Sequence, residues 1–390
     1  INYKYINMLF YLGFYRVLVK KLLKLTFILS VVSAAAFISY RYIKNPISQV
    51  PKPYIFKDNV YKPNISNAPI LIIGDRLGTR LSKYKKLMAD TISTNLSKKV
   101  EIKTMAMDGE GIHRTLERIK KIGKLPLITI YIGGSEETYE QRFSTKDINK
   151  ILFNFKLYSD EKIKTLLMIF PIFSKFIYKV INHQRLGETL KEDTNKYSDL
   201  VIQKRNIIHF KLYDESINDL FSYIKEHGSY LIALTQPLNL DVPPKKSCDG
   251  SLDELSREKI IEVTKKIKAK DYKGAYSISK DLILFANTNA KVHYLHGKIT
   301  KKLGLIKEAK KSLEFAIAYD CLQWRGNPVY NRMLIKAAKN NDVLVLDFNK
   351  LVLKEWGYNT IFSDEIYPQN WYFERVTEAL SFRIKKLLKL

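Results

Sequence analysis

The chain has 390 residues, 46% of them hydrophobic, and a formal net charge of +27. This length allows a large α/β core with an inserted module, and so high a charge favours partners with anionic surfaces. Its only cysteines are Cys248 and Cys321, which excludes a disulfide framework and a four-cysteine zinc site.

The first predicted elements are a basic segment and an apolar one. Residues 1–24 are basic, and residues 25–40 carry no charge. The pattern predicts a transmembrane helix over residues 25–44, preceded by a cytoplasmic or interfacial segment. Because the heavier basic flank comes first, we expect a single-pass protein of the inner membrane with its body in the periplasm. The alternative is a cleaved signal peptide, since alanines at 34–36 suit signal peptidase.

A proline-rich linker, residues 45–69, leads to the body of the chain. Short apolar runs alternate with helical patterns, which indicates βαβ units and a parallel sheet covered on both faces. The expected strands are residues 70–73, 100–107, 127–132, 230–235 and 343–347.

A Lys- and Tyr-rich helical insertion is predicted over residues 140–228. Its strongly apolar run, residues 165–174, is too short to span a bilayer. We expect this run to form a buried cap helix. A lid over the site and a surface that touches the bilayer are the alternatives.

Polar, glycine-rich turns follow the predicted strands, where parallel sheets bind ligands. They are Gly74-Asp75-Arg76-Leu77, Gly109 or Gly111, Gly133-Gly134-Ser135-Glu136 and, near the C-terminus, Asp364-Glu365-Ile366-Tyr367-Pro368. In this order they resemble the motifs of the SGNH (GDSL-type) hydrolase family: Gly-Asp-Ser, a glycine, Gly-x-Asn-Asp and Asp-x-x-His-Pro. The resemblance implies a flavodoxin-like three-layer α/β domain made of residues 69–250 and 321–390.

The chain departs from this family at the positions that carry its chemistry. Arg76 stands at the nucleophile, Ser135 at the oxyanion-hole asparagine and Tyr367 at the histidine, whereas the histidine-orienting aspartate persists as Asp364. Arginine is neither nucleophile nor base, and tyrosine ordinarily titrates near 10. We therefore expect a degenerate site, in which Arg76 pairs with a neighbouring carboxylate or holds an anionic ligand. The expected site residues are Asp75, Arg76, Gly109, Ser135, Glu136, Asp364 and Tyr367.

Residues 251–320 have a helical pattern with a 34-residue period, in which Ala275 recurs as Ala309. The pattern resembles the tetratricopeptide repeat, in which small residues let paired helices approach closely. So short an array must pack on the α/β body, and it serves either as a site for a protein partner or as a structural buttress. Cys248 and Cys321 bracket it, either as a disulfide or as two free thiols.

The preferred hypothesis is a catalytically degenerate, membrane-anchored SGNH-like protein that binds an anionic envelope ligand or scaffolds other proteins. The alternative is an active esterase, an acyl- or acetyl-hydrolase of envelope glycans or lipids, with acid and base supplied by Asp75, Glu136 and Asp364 near Asp108 and His113. No basic helix carries groove-reading side chains, so we expect no nucleic-acid partner. We expect no cofactor and no resident metal.

Overall fold

The fold is described by a computed structural model that covers residues 3–44, 49–57, 65, 68–94, 100–140, 142–184, 193, 196–248 and 252–388. Most of the predicted linker, 45–69, therefore lies outside the described residues. The chain divides into two compact units. We call Ile1–Ile55 with Asn149–Asn182 the anchor unit, and Phe56–Ile148 with His183–Leu390 the sheet unit.

The secondary structure is mainly helical, with short strands. The strands are β1 (Ile55–Lys57), β2 (Ile70–Gly74), β3 (Ile102–Thr104), β4 (Ile128–Ile132), β5 (Asn182–Gln184), β6 (Tyr230–Leu234) and β7 (Leu344–Leu346). The helices are α1 (Tyr3–Lys44), α2 (Arg76–Ser82), α3 (Lys85–Ser93), α4 (Ile112–Ile119), α5 (Ile148–Tyr158), α6 (Glu161–Ile169), α7 (Ser174–Ile177), α8 (Asp199–Glu226), α9 (Glu254–Lys268), α10 (Tyr272–Phe285), α11 (Ala290–Lys302), α12 (Ile306–Ala318), α13 (Pro328–Asn340), α14 (Phe348–Leu353) and α15 (Asn370–Leu388).

The sheet unit contains the parallel sheet that the sequence predicts. Its five strands lie in the order β3-β2-β4-β6-β7, and every pair is parallel. Counted within the sheet this order is 2-1-3-4-5, so the direction of strand addition reverses between β2 and β4. Open α/β sheets bind ligands at such a switch point, beyond the carboxyl ends of the strands.

Alternate residues of the strands form two separate apolar cores. Ile70 and Ile72 of β2 pack in one core with residues of α3 and α15, while Leu71 and Ile73 pack in the other with α4, α8 and α13. The period of two is that of a strand with both faces covered. The sheet is therefore the middle of three layers, and the mixed α/β prediction is confirmed.

Helices α9 to α12 form the predicted helical module, and α10 and α12 begin one sequence repeat apart, at Tyr272 and Ile306. The module has a core of its own, and α12 adds Leu313 and Ile317 to a sheet core. At Gly297 of α11 a Cβ atom would lie 2.5 Å from the Leu313 Cγ. Glycine thus lets α11 and α12 approach closely.

The two cysteines form a disulfide between the segment that precedes the module and the turn that follows it. Beside the disulfide, the Cys321 amide donates to the Lys246 carbonyl over 2.9 Å. The Asp320 carboxylate accepts from the Lys245 amide over 3.0 Å and from the Trp324 indole over 3.1 Å. The base of the module is therefore fixed covalently and by hydrogen bonds.

The anchor unit begins with α1, a single helix that includes both the basic segment and the apolar run. Its stretch Val19–Tyr40, of mean hydropathy 2.0, is long and apolar enough to cross a membrane, a property that anchors and signal sequences share.

The predicted insertion, 140–228, is divided, because Asn149–Asn182 belongs to this unit and α8 to the sheet unit. The prediction of a buried cap helix over 165–174 is wrong, since Leu167 alone is buried in that run.

Candidate functional site

The turns that follow β2 and β4 bring most of the predicted site residues together. Asp75 and Arg76 come directly after β2, and Ser135 and Glu136 follow β4, its parallel neighbour. Parallel pairing places the carboxyl ends of both strands at the same edge of the sheet. These turns therefore lie beyond the carboxyl ends of the strands, at the switch point of the sheet.

Asp75 is buried and ties the two turns together. Its Oδ1 accepts from the Leu77 amide over 2.9 Å, which caps α2. Its Oδ2 accepts from Ser135 twice, from the amide over 2.8 Å and from the hydroxyl over 2.7 Å. Burial raises the pKa of Asp75, and these hydrogen bonds oppose the rise. Both the amide and the hydroxyl of Ser135 thus donate to Asp75.

Glu136 brings its carboxylate to two backbone amides. Its Oε2 accepts from the Gly109 amide over 2.6 Å and from the Arg76 amide over 3.3 Å. The backbone of Gly109 has a φ of +74°, a conformation that residues other than glycine rarely adopt. Two convergent N–H donors are the arrangement that stabilises an oxyanion in acyl-transfer sites, and here a side chain of the protein occupies it.

The Arg76 guanidinium lies between two carboxylates. Its Nη2 lies 3.1 Å from Glu136 Oε1, and its Nε lies 3.4 Å from Asp108 Oδ2. The positive charge of Arg76 also acts on Tyr367, whose pKa it lowers against the larger effect of burial. Arg76 therefore pairs with the neighbouring carboxylates of Glu136 and Asp108.

Asp364 is held apart from this cluster by its own turn. Its Oδ1 accepts from the Ile366 amide over 2.8 Å and from the Tyr367 amide over 2.7 Å. Its backbone carbonyl accepts from the side chain of Asn239 over 3.0 Å. The Asp364 carboxylate therefore shapes the loop that presents Tyr367, and its acceptor oxygen is turned to that loop rather than to an imidazole.

The titration properties of the site differ from those of exposed side chains. Burial, and next the nearby Asp75, raise the pKa of Glu136 to about 7. Burial raises the pKa of Tyr367 to about 12 against the opposing charge of Arg76. Tyr367 is thus a protonated phenol near pH 7 and accepts no proton from a nucleophile there.

A second cluster of titratable side chains adjoins the site, and its members Glu137 and Arg142 are buried. Glu137 accepts from the Ile112 amide over 2.8 Å and from Arg142 Nη2 over 2.8 Å. Burial raises the pKa of Glu137 to about 8, and burial together with Arg142 lowers the pKa of His113 to about 3. The enzyme hypothesis places His113 near the carboxylates, and at this pKa its imidazole is neutral near pH 7.

An open cleft of about 380 Å³ lies beside the Asp364 turn. It is lined by Asn239, Asp241, Lys301 and the loop 357–364. Asp241 accepts from the Lys301 ammonium over 2.6 Å and from the Trp356 indole over 3.1 Å. Lys301 belongs to α11, so the helical module contributes directly to this cleft.

The sequence missed two contributors to the site. Arg80 stacks over the Tyr367 ring with its Cζ 3.6 Å from the centroid, and its spacing of one helical turn from Arg76 is the signal that predicts a shared face. The second contributor is the Glu137–Arg142 pair, for which the sequence contains no comparable spacing signal. Of the two glycine candidates, Gly109 faces the site, whereas a Cβ at Gly111 would meet Glu140.

Within the described ranges, no group of three or more His, Cys, Asp or Glu side chains is arranged to hold a metal ion. Asp75 and Glu136 lie close together, but the Asp364 carboxylate faces the amides of its own turn. Searches against family models and curated proteins find no match for this sequence.

Proposed function

We propose that this chain is a membrane-anchored, extracytoplasmic SGNH-hydrolase-like protein of the bacterial envelope that no longer hydrolyses esters. In this proposal it acts as a ligand-binding or scaffolding component. One observation carries the proposal: the Glu136 carboxylate accepts hydrogen bonds from the Gly109 and Arg76 amides. A substrate oxyanion that needs those donors would have to displace the Glu136 carboxyl group, whose Oε1 also lies 3.1 Å from Arg76 Nη2.

The other substitutions support the same conclusion. Hydrolysis by a serine mechanism requires a hydroxyl nucleophile and a base that titrates near neutrality. Arg76 supplies no nucleophile, and Tyr367, with a pKa of about 12, supplies no base. The Asp364 carboxylate accepts from amides of its own loop. The positions of the nucleophile and the base thus carry residues that cannot perform those roles, and the aspartate that would orient the base bonds to its own loop instead.

The fold supports the resemblance at the level of topology. The strand order 2-1-3-4-5 is the flavodoxin-like doubly wound order, and the motif-bearing turns lie at its switch point. Folds of this kind support many unrelated activities. The proposal therefore depends on the site residues, of which Asp75, Gly109 and the Asp364 turn agree with the family pattern.

The compartment is inferred from two independent features. The apolar stretch Val19–Tyr40 follows a basic segment, and this order favours a body outside the cytoplasm. The disulfide between Cys248 and Cys321 is a bond that oxidising compartments preserve. Together they support an anchored protein with its body outside the cytoplasm.

Two exposed surfaces of the sheet unit are available for binding. Tyr358, 82% exposed, belongs to the loop that lines the cleft beside Asp364. Phe285, 77% exposed, lies at the end of α10 in the helical module. We assign the cleft to an envelope ligand and the module to a protein partner.

In-cell photo-crosslinking from single positions tests both assignments. A photoreactive residue at Tyr358 should yield an adduct with envelope material, and one at Phe285 should yield a discrete protein adduct. Phe382, 70% exposed on α15, is the matched control and should yield neither. Adducts no more abundant at Tyr358 and Phe285 than at Phe382 would contradict the binding and scaffolding function.

The active esterase is a second candidate, favoured by the pKa of about 7 at Glu136. A carboxyl group with that pKa is suited to general acid–base catalysis at neutral pH. Ester hydrolysis by the wild type that disappears in Glu136→Gln would favour this candidate over the degenerate site.

A further inference from the structure

The helices that follow α5 in the anchor unit expose an unusual number of large apolar side chains. Ile172 is 63% exposed, Phe176 is 82% exposed and Val180 is 68% exposed, and Phe173 beside them is also exposed. Ile172 and Phe173 belong to the turn Pro171–Phe173, Phe176 belongs to α7, and Val180 follows α7 by three residues. We call these four residues the α6–α7 surface.

This surface is continuous with the apolar stretch of α1. The ring of Phe37 stacks on that of Phe170, with centroids 6.3 Å apart and an interplanar angle of 7°. Phe37 lies within one helical turn of Tyr40, the end of the stretch that could cross a membrane. Phe170 in turn contacts Phe173 of the surface, with centroids 5.6 Å apart.

The α6–α7 surface is also fixed to the chain that leaves α1. The Asn154 side chain donates to the Pro53 carbonyl over 3.0 Å and to the Lys179 carbonyl over 2.8 Å, and it accepts from the Lys179 amide. The Tyr178 hydroxyl donates to the Pro51 carbonyl over 3.3 Å. These bonds hold the surface at a defined place beside the anchor.

Basic side chains accompany the exposed apolar ones. Lys175 and Lys179 are exposed on the same segment, and Lys162 is exposed in the first turn of α6. Lysine stems extend along apolar surface while their ammonium groups stay in water, and anionic headgroups attract them. Aromatic and aliphatic side chains flanked by lysines are typical of helices that lie in a membrane interface.

We propose that the α6–α7 surface lies in the headgroup region of the bilayer that α1 crosses. Ile172, Phe173, Phe176 and Val180 contact acyl chains, and the lysines contact anionic lipid headgroups. This inference rests on the proposed membrane anchor and adds a second point of attachment to it. A single helix leaves the anchor unit free to rotate about the helix axis. Two attachment points fix the orientation of this unit on the membrane.

Tryptophan quenching in the full-length chain tests this proposal. Phe176→Trp is reconstituted into phosphatidylcholine–phosphatidylglycerol vesicles, with or without bromine atoms near the headgroup end of the acyl chains. Because interfacial side chains insert about 5–10 Å deep, we expect bromolipid to remove roughly half of the added emission, a twofold loss. Phe285→Trp, at a similarly exposed position of the sheet unit, should show only the quenching of the wild type.

The remaining outcomes separate the surface from the anchor. Vesicle flotation of both variants reports the anchor, and a chain that does not float overturns the anchor and this inference together. If the chains float but the two variants are quenched equally, the anchor stands and the α6–α7 surface faces water. Added emission of Phe176→Trp that shifts to the blue without quenching would show a protein cover and would also overturn the proposal.

Discussion

At the scale of single residues, Glu136 determines which acceptor the two backbone amides of the site meet. The Gly109 and Arg76 amides need an acceptor, and Glu136 supplies one from within the chain. The sequence identified these residues but not their arrangement. It gave Ser135 an oxyanion-hole position, whereas Ser135 donates to Asp75 and the next residue reaches the amides. Adjacent side chains in a turn cannot be assigned to partners without its backbone conformation.

Glu136 should make the stability of the sheet unit depend on pH. Its pKa is about 7 in the folded chain against an ordinary 4.5, so the folded state holds the proton more tightly than the unfolded state. This contribution is fully present below pH 4.5 and is lost as pH rises through 7. Glu136→Gln should reduce the loss of unfolding free energy between pH 5 and pH 8 by up to about 3 kcal/mol.

Urea unfolding followed by tryptophan fluorescence measures this effect, because Trp324, Trp356 and Trp371 all lie in the sheet unit. Glu161→Gln, whose carboxyl group is exposed, is the control and should retain the pH dependence of the wild type. An unchanged pH dependence in Glu136→Gln would mean that this carboxylate is not buried against the amides.

At the scale of elements, the predictions succeeded where one physical signal dominates. The strand β2 is a short apolar run between a proline and a glycine, and all of its residues are buried. The run 165–174 has a similar apolar composition, but most of it is not buried. Composition indicates that side chains avoid water and does not indicate whether protein or lipid replaces it. This is why the sequence misassigned that element.

Gly297 should be essential to the packing of the helical module. In Gly297→Ala the new Cβ would meet Leu313, so α11 and α12 would have to separate or Leu313 would have to move. We expect a loss of about 1–3 kcal/mol in unfolding free energy, the usual cost of overpacking. Gly123→Ala, where no atom lies within 4 Å, is the matched control. Equal stability of the two variants in urea would contradict the close approach.

At the scale of the whole molecule, the charge of +27 and the apolar stretch of α1 suggest association with an anionic membrane. The sequence predicts the order of the segments, but it does not predict that Asn149–Asn182 belongs to the anchor unit. That grouping depends on hydrogen bonds such as Asn154 to Pro53, between residues far apart in the sequence. Such contacts leave no periodic signal.

The proposed orientation predicts which parts of the chain external protease can reach. In spheroplasts, added protease should digest the sheet unit and leave an N-terminal tag protected, because Lys20, Lys21 and Lys24 favour the cytoplasmic side. Replacing these three lysines with glutamine should lower the digested fraction. Release of the body into the soluble fraction would indicate a cleaved signal peptide, and a body digested only after lysis would place it in the cytoplasm.

The central claim is that Glu136 closes the site and that the site lacks a nucleophile and a base. The most direct test of this claim is an assay of ester hydrolysis by the purified full-length chain. With p-nitrophenyl acetate and butyrate near pH 7, we predict an initial rate equal to that of buffer alone. Hydrolysis above that rate by the wild type, lost on Glu136→Gln or Asp75→Asn, would contradict the degenerate site and identify the carboxylates as catalytic groups.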